Sequence, residues 1–177
     1  MKIVVFIKEI PISNHVRIDP ETNNLIRSGV RGRINPFDEH AIETAVQLKE
    51  KFGGTVSVVS MGPDSFKLSL HEALAMGCDE AYLLSSRAFA GSDTLATAYT
   101  LAQAVRKIGN VDLILTGLKA IDADTGQVGP LIAEELDLPQ ITNASGIVDL
   151  DSVNQTIDVK RHLEVDQEVI RVSYPLV

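Results

Sequence analysis

Four short runs rich in β-branched residues, at 3–7, 55–60, 81–84 and 113–116, recur with a helix-length segment between each and the next. That alternation leaves few folds open, because strands joined through helices pair in parallel within one sheet. The runs are apolar almost without a break rather than at every second position, which fits strands covered by helices on both faces. The expected class is therefore α/β, an open parallel sheet between helices. With 177 residues, 45% of them apolar, one sizeable core can be buried, so a single domain over 1–177 is expected.

The segments between the runs carry helix punctuation. Asn35-Pro36-Phe37-Asp38 offers an N-cap, a proline at the first helical position and an acidic third position, each of which satisfies or complements free N–H groups. Ala41, Ile42, Ala45, Val46 and Leu48 form an apolar stripe, and Gly53-Gly54 supplies an exit that a Cβ would disfavour. Residues 63–76 before Gly77, and 92–108 before Gly109, repeat the pattern. After Pro139 the texture changes: 147–148, 156–159 and 169–172 are short runs separated by polar turns, which predicts an antiparallel extension over 144–177. The polar stretch 9–32 is longer than an ordinary connection, and loops of that length are often functional or partner-facing.

Charge narrows the partners. A formal net charge of −8, from 24 acidic and 16 basic residues, opposes a nucleic-acid or anionic-membrane surface, both of which need clustered Lys and Arg. Any bound phosphate must be held locally. No run approaches the roughly 18 apolar residues of a membrane span, and the N-terminus lacks a signal peptide's features, so membrane insertion is not expected. The single Cys78 forms no internal disulfide and suits a reducing interior, so a cytoplasmic setting is expected. Lying between a helix C-terminus and Asp79-Glu80, its thiol should have a raised pKa and be structural. His15, His40, His71 and His162 show no metal-ligand spacing, and no metal is expected. The run from Lys160 to Glu164 reads as a solvated strand and turn.

The segment with the most chemical content is Gly117-Leu118-Lys119-Ala120-Ile121-Asp122-Ala123-Asp124-Thr125-Gly126-Gln127-Val128-Gly129-Pro130, between the fourth strand and a helix around 131–136. In an open α/β sheet that corner is where ligands sit. Asp124 or Thr125 can cap the helix, and Gly126 and Gly129 allow backbone N–H groups to approach a phosphate. Asp122 and Asp124 would repel a phosphate, so they are assigned to capping or to ribose hydroxyls. Lys119 is the only cation of the loop. Neither a Gly-x-x-x-x-Gly-Lys-Ser/Thr loop nor a Gly-x-Gly-x-x-Gly after the first strand is present, which favours binding without hydrolysis. On spacing alone, a glycine turn that merely caps a helix is an equal reading.

Six blocks in order resolve that tie: Val4-Val5-Phe6-Ile7-Lys8, Ile18-Asp19-Pro20-Glu21-Thr22, Ile34-Asn35-Pro36-Phe37-Asp38-Glu39, Val59-Ser60-Met61-Gly62-Pro63, Glu72-Ala73-Leu74-Ala75-Met76-Gly77, and Ala120-Ile121-Asp122 followed by Asp124-Thr125 and Gln127-Val128-Gly129. Over essentially its whole length the chain resembles the β subunit of electron-transferring flavoproteins. The resemblance implies a Rossmann-like fold, an α-subunit partner and an adenine-nucleotide site formed by Phe6, Lys8, Asn35, Phe37, Asp38, Met61, Gly62 and the loop residues Gly117, Ala120, Ile121, Asp122, Asp124, Thr125, Gly126, Gln127, Val128 and Gly129. Asn35 is also accounted for as a helix cap, and Phe6 and Met61 would be core residues in any α/β domain.

Some members of that family hold AMP at this site structurally, and electron-bifurcating members hold a second FAD. The wording from Asp124 to Gly129 is similar to the FAD-holding group, in which NADH supplies a hydride and electrons pass to the α-subunit FAD and toward ferredoxin or flavodoxin. An acyl-CoA-type dehydrogenase is the further partner that the resemblance implies. FAD is thus the expected cofactor, with AMP the alternative. The sequence departs from the family at Leu118-Lys119, where a basic residue followed by Gln is commoner, and at Gly126, where the bifurcating group has Ala. Family β subunits also continue beyond the point matching Val177, into a dehydrogenase-recognition loop and an arm that embraces the α subunit. A nucleotide-sensing module like the universal stress proteins, and an assembly domain with a vestigial site, are the readings from other classes.

Overall fold

The computed structural model describes residues 1–12 and 32–177, together with the backbone of Arg17–Ile18 and Leu25–Ile26. Apart from the Ile18 backbone, the block 18–22 and His15 lie outside the described residues, as does most of the stretch 9–32. The chain begins with β1 (Lys2–Phe6), β2 (Glu9–Pro11), β3 (Arg17–Ile18), β4 (Leu25–Ile26) and β5 (Gly32–Ile34). Where a long loop was expected, β2 pairs antiparallel with β5, and β3 with β4.

Helix α1 (Pro36–Phe52) follows, then β6 (Thr55–Met61), α2 (Lys67–Ala75), β7 (Glu80–Leu84), α3 (Thr94–Ile108), β8 (Leu113–Thr116) and α4 (Val128–Leu136). The four principal strands form one parallel sheet in the order β7-β6-β1-β8. Successive side chains on a strand point to opposite faces, and the core divides accordingly. Ile3, Val5, Val56 and Val58 meet α1 through Ala41, Ile42 and Ala45, and α2 through Leu70 and Ala73. Val4, Phe6, Val59 and Ile114 meet Ala98, Leu101 and Val105 of α3 and Ile132 of α4 on the other face. Both faces of β1 are therefore dry, as its unbroken apolar run predicts.

The chain then enters β9 (Ala144–Asp151), β10 (Thr156–His162) and β11 (Gln167–Ser173), an antiparallel sheet with β10 in the centre. Leu150, Ile157 and Val159 of this sheet, with Leu176 beyond it, belong to the same apolar cluster as α1 and α2. The Ile114 amide donates to the Leu176 carbonyl at 2.9 Å, which ties the chain's last residues to the edge of the parallel sheet.

The helix ends follow their chemistry with informative exceptions. Gly53 and Gly54 have φ of 74° and 122°, so α1 leaves through backbone that a side chain would strain. Cys78 is buried, and its thiol is pushed up to about 11 chiefly by burial, with Lys49 opposing and Asp79 adding to the rise. The charge of its neighbours, which the sequence suggested as the cause, is secondary. Helix α3 starts at Thr94 because the Asp93 carboxylate accepts from the Ala96 amide at 2.8 Å. Asp93→Ala should lower stability by about 1 kcal/mol and Asp93→Ser by much less, read as shifts in the urea midpoint; equal losses in the two variants would contradict a capping role.

Candidate functional site

The strand order creates a crevice. From β1 the chain steps to β6 and then to β7, and afterwards crosses back to β8 on the opposite side of β1. The connection leaving β1 reaches α1 on one face, while the one leaving β8 reaches α4 on the other. The carboxyl ends of β1 and β8 thus lie at a topological switch point, and such points are where open α/β sheets bind ligands.

A buried knot fixes the base of this crevice. Asp38 is 6% exposed, and its Oδ2 accepts from the Lys8 amide at 2.7 Å. Burial raises the Asp38 carboxyl to about 6, against hydrogen bonds from the Lys8 amide, the Asn35 side chain and the Gly117 amide and the charge of Lys8, all of which lower it. Gly117 must be glycine for a steric reason: a Cβ there would stand 2.2 Å from Asp38 Oδ1 and 2.8 Å from the Phe37 carbonyl carbon. One carboxyl thus joins the end of β1, the start of α1 and the end of β8. Asp38 keeps its expected place as an acidic residue of the first turn of α1, and its burial gives it this interior task as well.

Asn35 needs a correction. It occupies the N-cap position of α1 with extended backbone, but its side chain makes no capping bond. Instead Nδ2 donates to the Lys119 carbonyl at 2.9 Å and Oδ1 accepts from the Ile121 amide at 3.2 Å. With 1% exposure, this amide is a splint that holds the loop after β8 against the start of α1. Pro36 sits at the first helical position as its fixed φ and missing N–H favour.

The loop carries its charges in pairs. Lys8 Nζ lies 2.7 Å from Asp122 Oδ1, and Lys119 Nζ lies 2.7 Å from Asp124 Oδ1. Asp124 does not cap α4, nor does Thr125. The N-cap is Gln127, without a side-chain capping bond, and the helix begins at Val128 rather than near 131. Asp124 is held at φ 57° by its amide bond to the Ala120 carbonyl at 2.7 Å and by Lys119. Among the described residues the Val128 and Gly129 amides have no hydrogen-bond partner, so the positive end of α4, which follows the loop after β8, keeps donors available. A Cβ at Gly129 would stand 2.7 Å from Thr116 Oγ1, which keeps the helix end close to β8.

The remaining expected site residues lie along the same edge of the sheet. Phe6 ends β1 inside the core cluster of α3 and α4, and Met61 ends β6 packed against that cluster. Gly62 follows, its amide donating to the Leu84 carbonyl at 3.0 Å, and the Phe66 ring occupies the space of a Cβ. Phe37 is half-buried in the first turn of α1. Ala120, Ile121, Thr125, Gly126 and Gln127 are exposed or half-exposed along the loop. Two participants were missed: Thr116, against Gly129, and Thr94, whose Oγ1 lies 3.2 Å from Gln127 Oε1 and brings the α3 N-terminus to the loop.

Two free helix amides, two lysines on displaceable partners and a close-packed glycine fit a phosphate-bearing ligand. A family model described as the electron transfer flavoprotein domain matches residues 22–177. The chain is 50% identical over 176 residues to a protein of Thermoanaerobacterium thermosaccharolyticum named electron transfer flavoprotein subunit beta, covering 99% of this chain and 66% of that one. It is 49% identical to protein FixA of Azotobacter vinelandii, covering 99% and 63%. With subunit CarD of the caffeyl-CoA reductase-Etf complex of Acetobacterium woodii it shares 46% identity, covering 99% and 66%. The chain thus spans just under two thirds of the length of these relatives. On the family match and these identities, the chain belongs to the electron transfer flavoprotein family and is of its β-subunit kind.

Proposed function

We propose that the crevice between β1 and β8 holds the adenine-nucleotide part of FAD, and that the chain serves an electron-carrying flavoprotein pair with an α subunit. The observation that carries this reading is the loop after β8 at the switch point of a chain of this family: it leads into an α4 end whose Val128 and Gly129 amides have no partner among the described residues, and it carries Lys119 and, through Asp122, meets Lys8. Lys8, Lys119 and the helix end would bind phosphates, while the 117–130 loop, splinted by Asn35, would position the nucleotide. When bound, the flavin supplies hydride acceptance and one-electron transfer; the protein supplies placement and electrostatics.

An acyl-CoA-type dehydrogenase is the further partner in this reading, supported by the relative named as a subunit of a caffeyl-CoA reductase-Etf complex; NADH as donor and ferredoxin or flavodoxin as low-potential acceptor are what the family resemblance implies. Among the described residues no helix is long and apolar enough to cross a membrane, and we place this work in the cytoplasm.

The test is an absorbance spectrum of the chain purified with its α subunit, followed by identification of the nucleotides released on denaturation. Two FAD per pair are expected. One FAD with one AMP would keep the site but remove redox work from this chain, and no adenine nucleotide beyond the α subunit's own would overturn the site.

A further inference from the structure

In the crevice between β1 and β8, both lysines are already neutralised by carboxylates. Lys8 stands two residues beyond the end of β1, and Asp122 lies in the loop after β8, so their 2.7 Å ion pair spans the crevice. On the nucleotide reading, a phosphate held by Lys8 would share that ammonium group with Asp122, placing two anions around one cation. Like charges at that separation repel, which favours release of the more weakly held anion.

Asp122 is built to be the one that leaves. The pair is part-exposed, with side-chain exposures of 39% for Lys8 and 27% for Asp122, and exposed pairs are weakly held. Meanwhile the backbone of Lys8 is fixed by its amide bond to Asp38 at 2.7 Å, and the loop by the Asn35 bond to the Ile121 amide beside Asp122. The ammonium and carboxylate can therefore part without moving either strand end.

We propose that Asp122 is the resident counter-ion of Lys8, displaced when a nucleotide phosphate binds, and that this carboxylate limits how much affinity the site draws from the ligand's phosphates. The inference rests on the nucleotide reading of the site. It replaces the ribose-hydroxyl role for Asp122 with an electrostatic one, and makes Lys8 the cation that distinguishes a phosphorylated ligand from a bare nucleoside.

Calorimetric titration of the full chain with adenosine and with ADP tests it, comparing the parent with Asp122→Asn and Lys8→Gln. The ratio of the two affinities within one protein is insensitive to the fraction of it that is folded. Removing the counter-ion should tighten ADP about two- to five-fold, the equivalent of an exposed ion pair, and leave adenosine unchanged. Lys8→Gln should reduce the preference for ADP over adenosine, with Lys119 and the α4 end supplying what remains. If Asp122→Asn weakens adenosine and ADP alike, Asp122 is a ribose ligand and the proposal falls. It falls equally if the ratio is unchanged, since Asp122 is then a bystander. If the parent binds neither compound, the nucleotide site itself is wrong and the proposal goes with it.

Discussion

Gly117→Ala is expected to destabilise the chain by about 3 kcal/mol and to free the 117–130 loop for proteolysis. The added methyl would stand 2.2 Å from Asp38 Oδ1, and 2.8 and 2.9 Å from the Phe37 carbonyl carbon and the Asp38 amide nitrogen. Two of these are backbone atoms of the first turn of α1, which cannot rotate away as a side-chain tip could. Either the end of β8 or the start of α1 must shift, and both hold the crevice. Gly126→Ala is the control. Gly126 has φ 61°, but the nearest atom to an added Cβ, the Leu118 carbonyl oxygen, is 3.5 Å away. Its loss should be only the left-handed backbone strain, about 1 kcal/mol. Urea unfolding of both variants separates crowding from strain, and a Gly117→Ala loss no larger than that of Gly126→Ala would show that the Asp38 knot is not tight.

The second large effect is in pH. The folded Asp38 carboxyl is raised from 3.8 to about 6, so between those values the native chain binds more protons here than the unfolded chain does. Stability from this group therefore rises as pH falls from 7 to about 4, by about 3 kcal/mol in total. Asp79, Glu80, Asp151 and Asp158, whose pKa values are lowered, act in the opposite direction, so the overall curve mixes both signs. The difference between the parent and Asp38→Asn isolates the knot. That difference should grow in the parent's favour as the solution is acidified from pH 7 to pH 4, in urea unfolding at successive pH values. Parallel curves would mean that Asp38 titrates normally, and a difference shrinking on acidification would reverse the assigned cause.

The sheet was legible because β-branched runs such as 113–116 are buried on both faces, a demand local enough to appear in composition. The start of α1 was legible in position and less so in mechanism, while α2, α3 and α4 begin at Lys67, Thr94 and Val128 rather than at 63, 92 and about 131. Asn35-Pro36 marks the first turn of α1, yet the Asn35 side chain reaches Lys119 and Ile121 instead, since the loop after β8 lies close by only in the folded chain. Asp38 was legible as an acidic residue of the first turn, and its role as a buried acceptor was not, because its partners Lys8 and Gly117 are distant in sequence. Asp124 and Thr125 are types that cap helices, but the Lys119 ion pair and the bond to Ala120 take Asp124 elsewhere. Spacing could not foresee pairings across 114 residues, such as Lys8 with Asp122. The placing of expected site residues at the ends of β6, β1 and β8 came from the resemblance, and the strand order explains why those ends adjoin.

Amide hydrogen exchange of the chain with and without saturating ADP tests the central claim most directly, because it reports where a nucleotide binds without presuming which one the cell supplies. A nucleotide site between β1 and β8 predicts slowed exchange at Lys8, over 35–38 and across 117–131, the amides of Val128 and Gly129 included. Protection confined to the antiparallel sheet around Asp149 and Asp158, or absent while ADP is demonstrably bound, would contradict it.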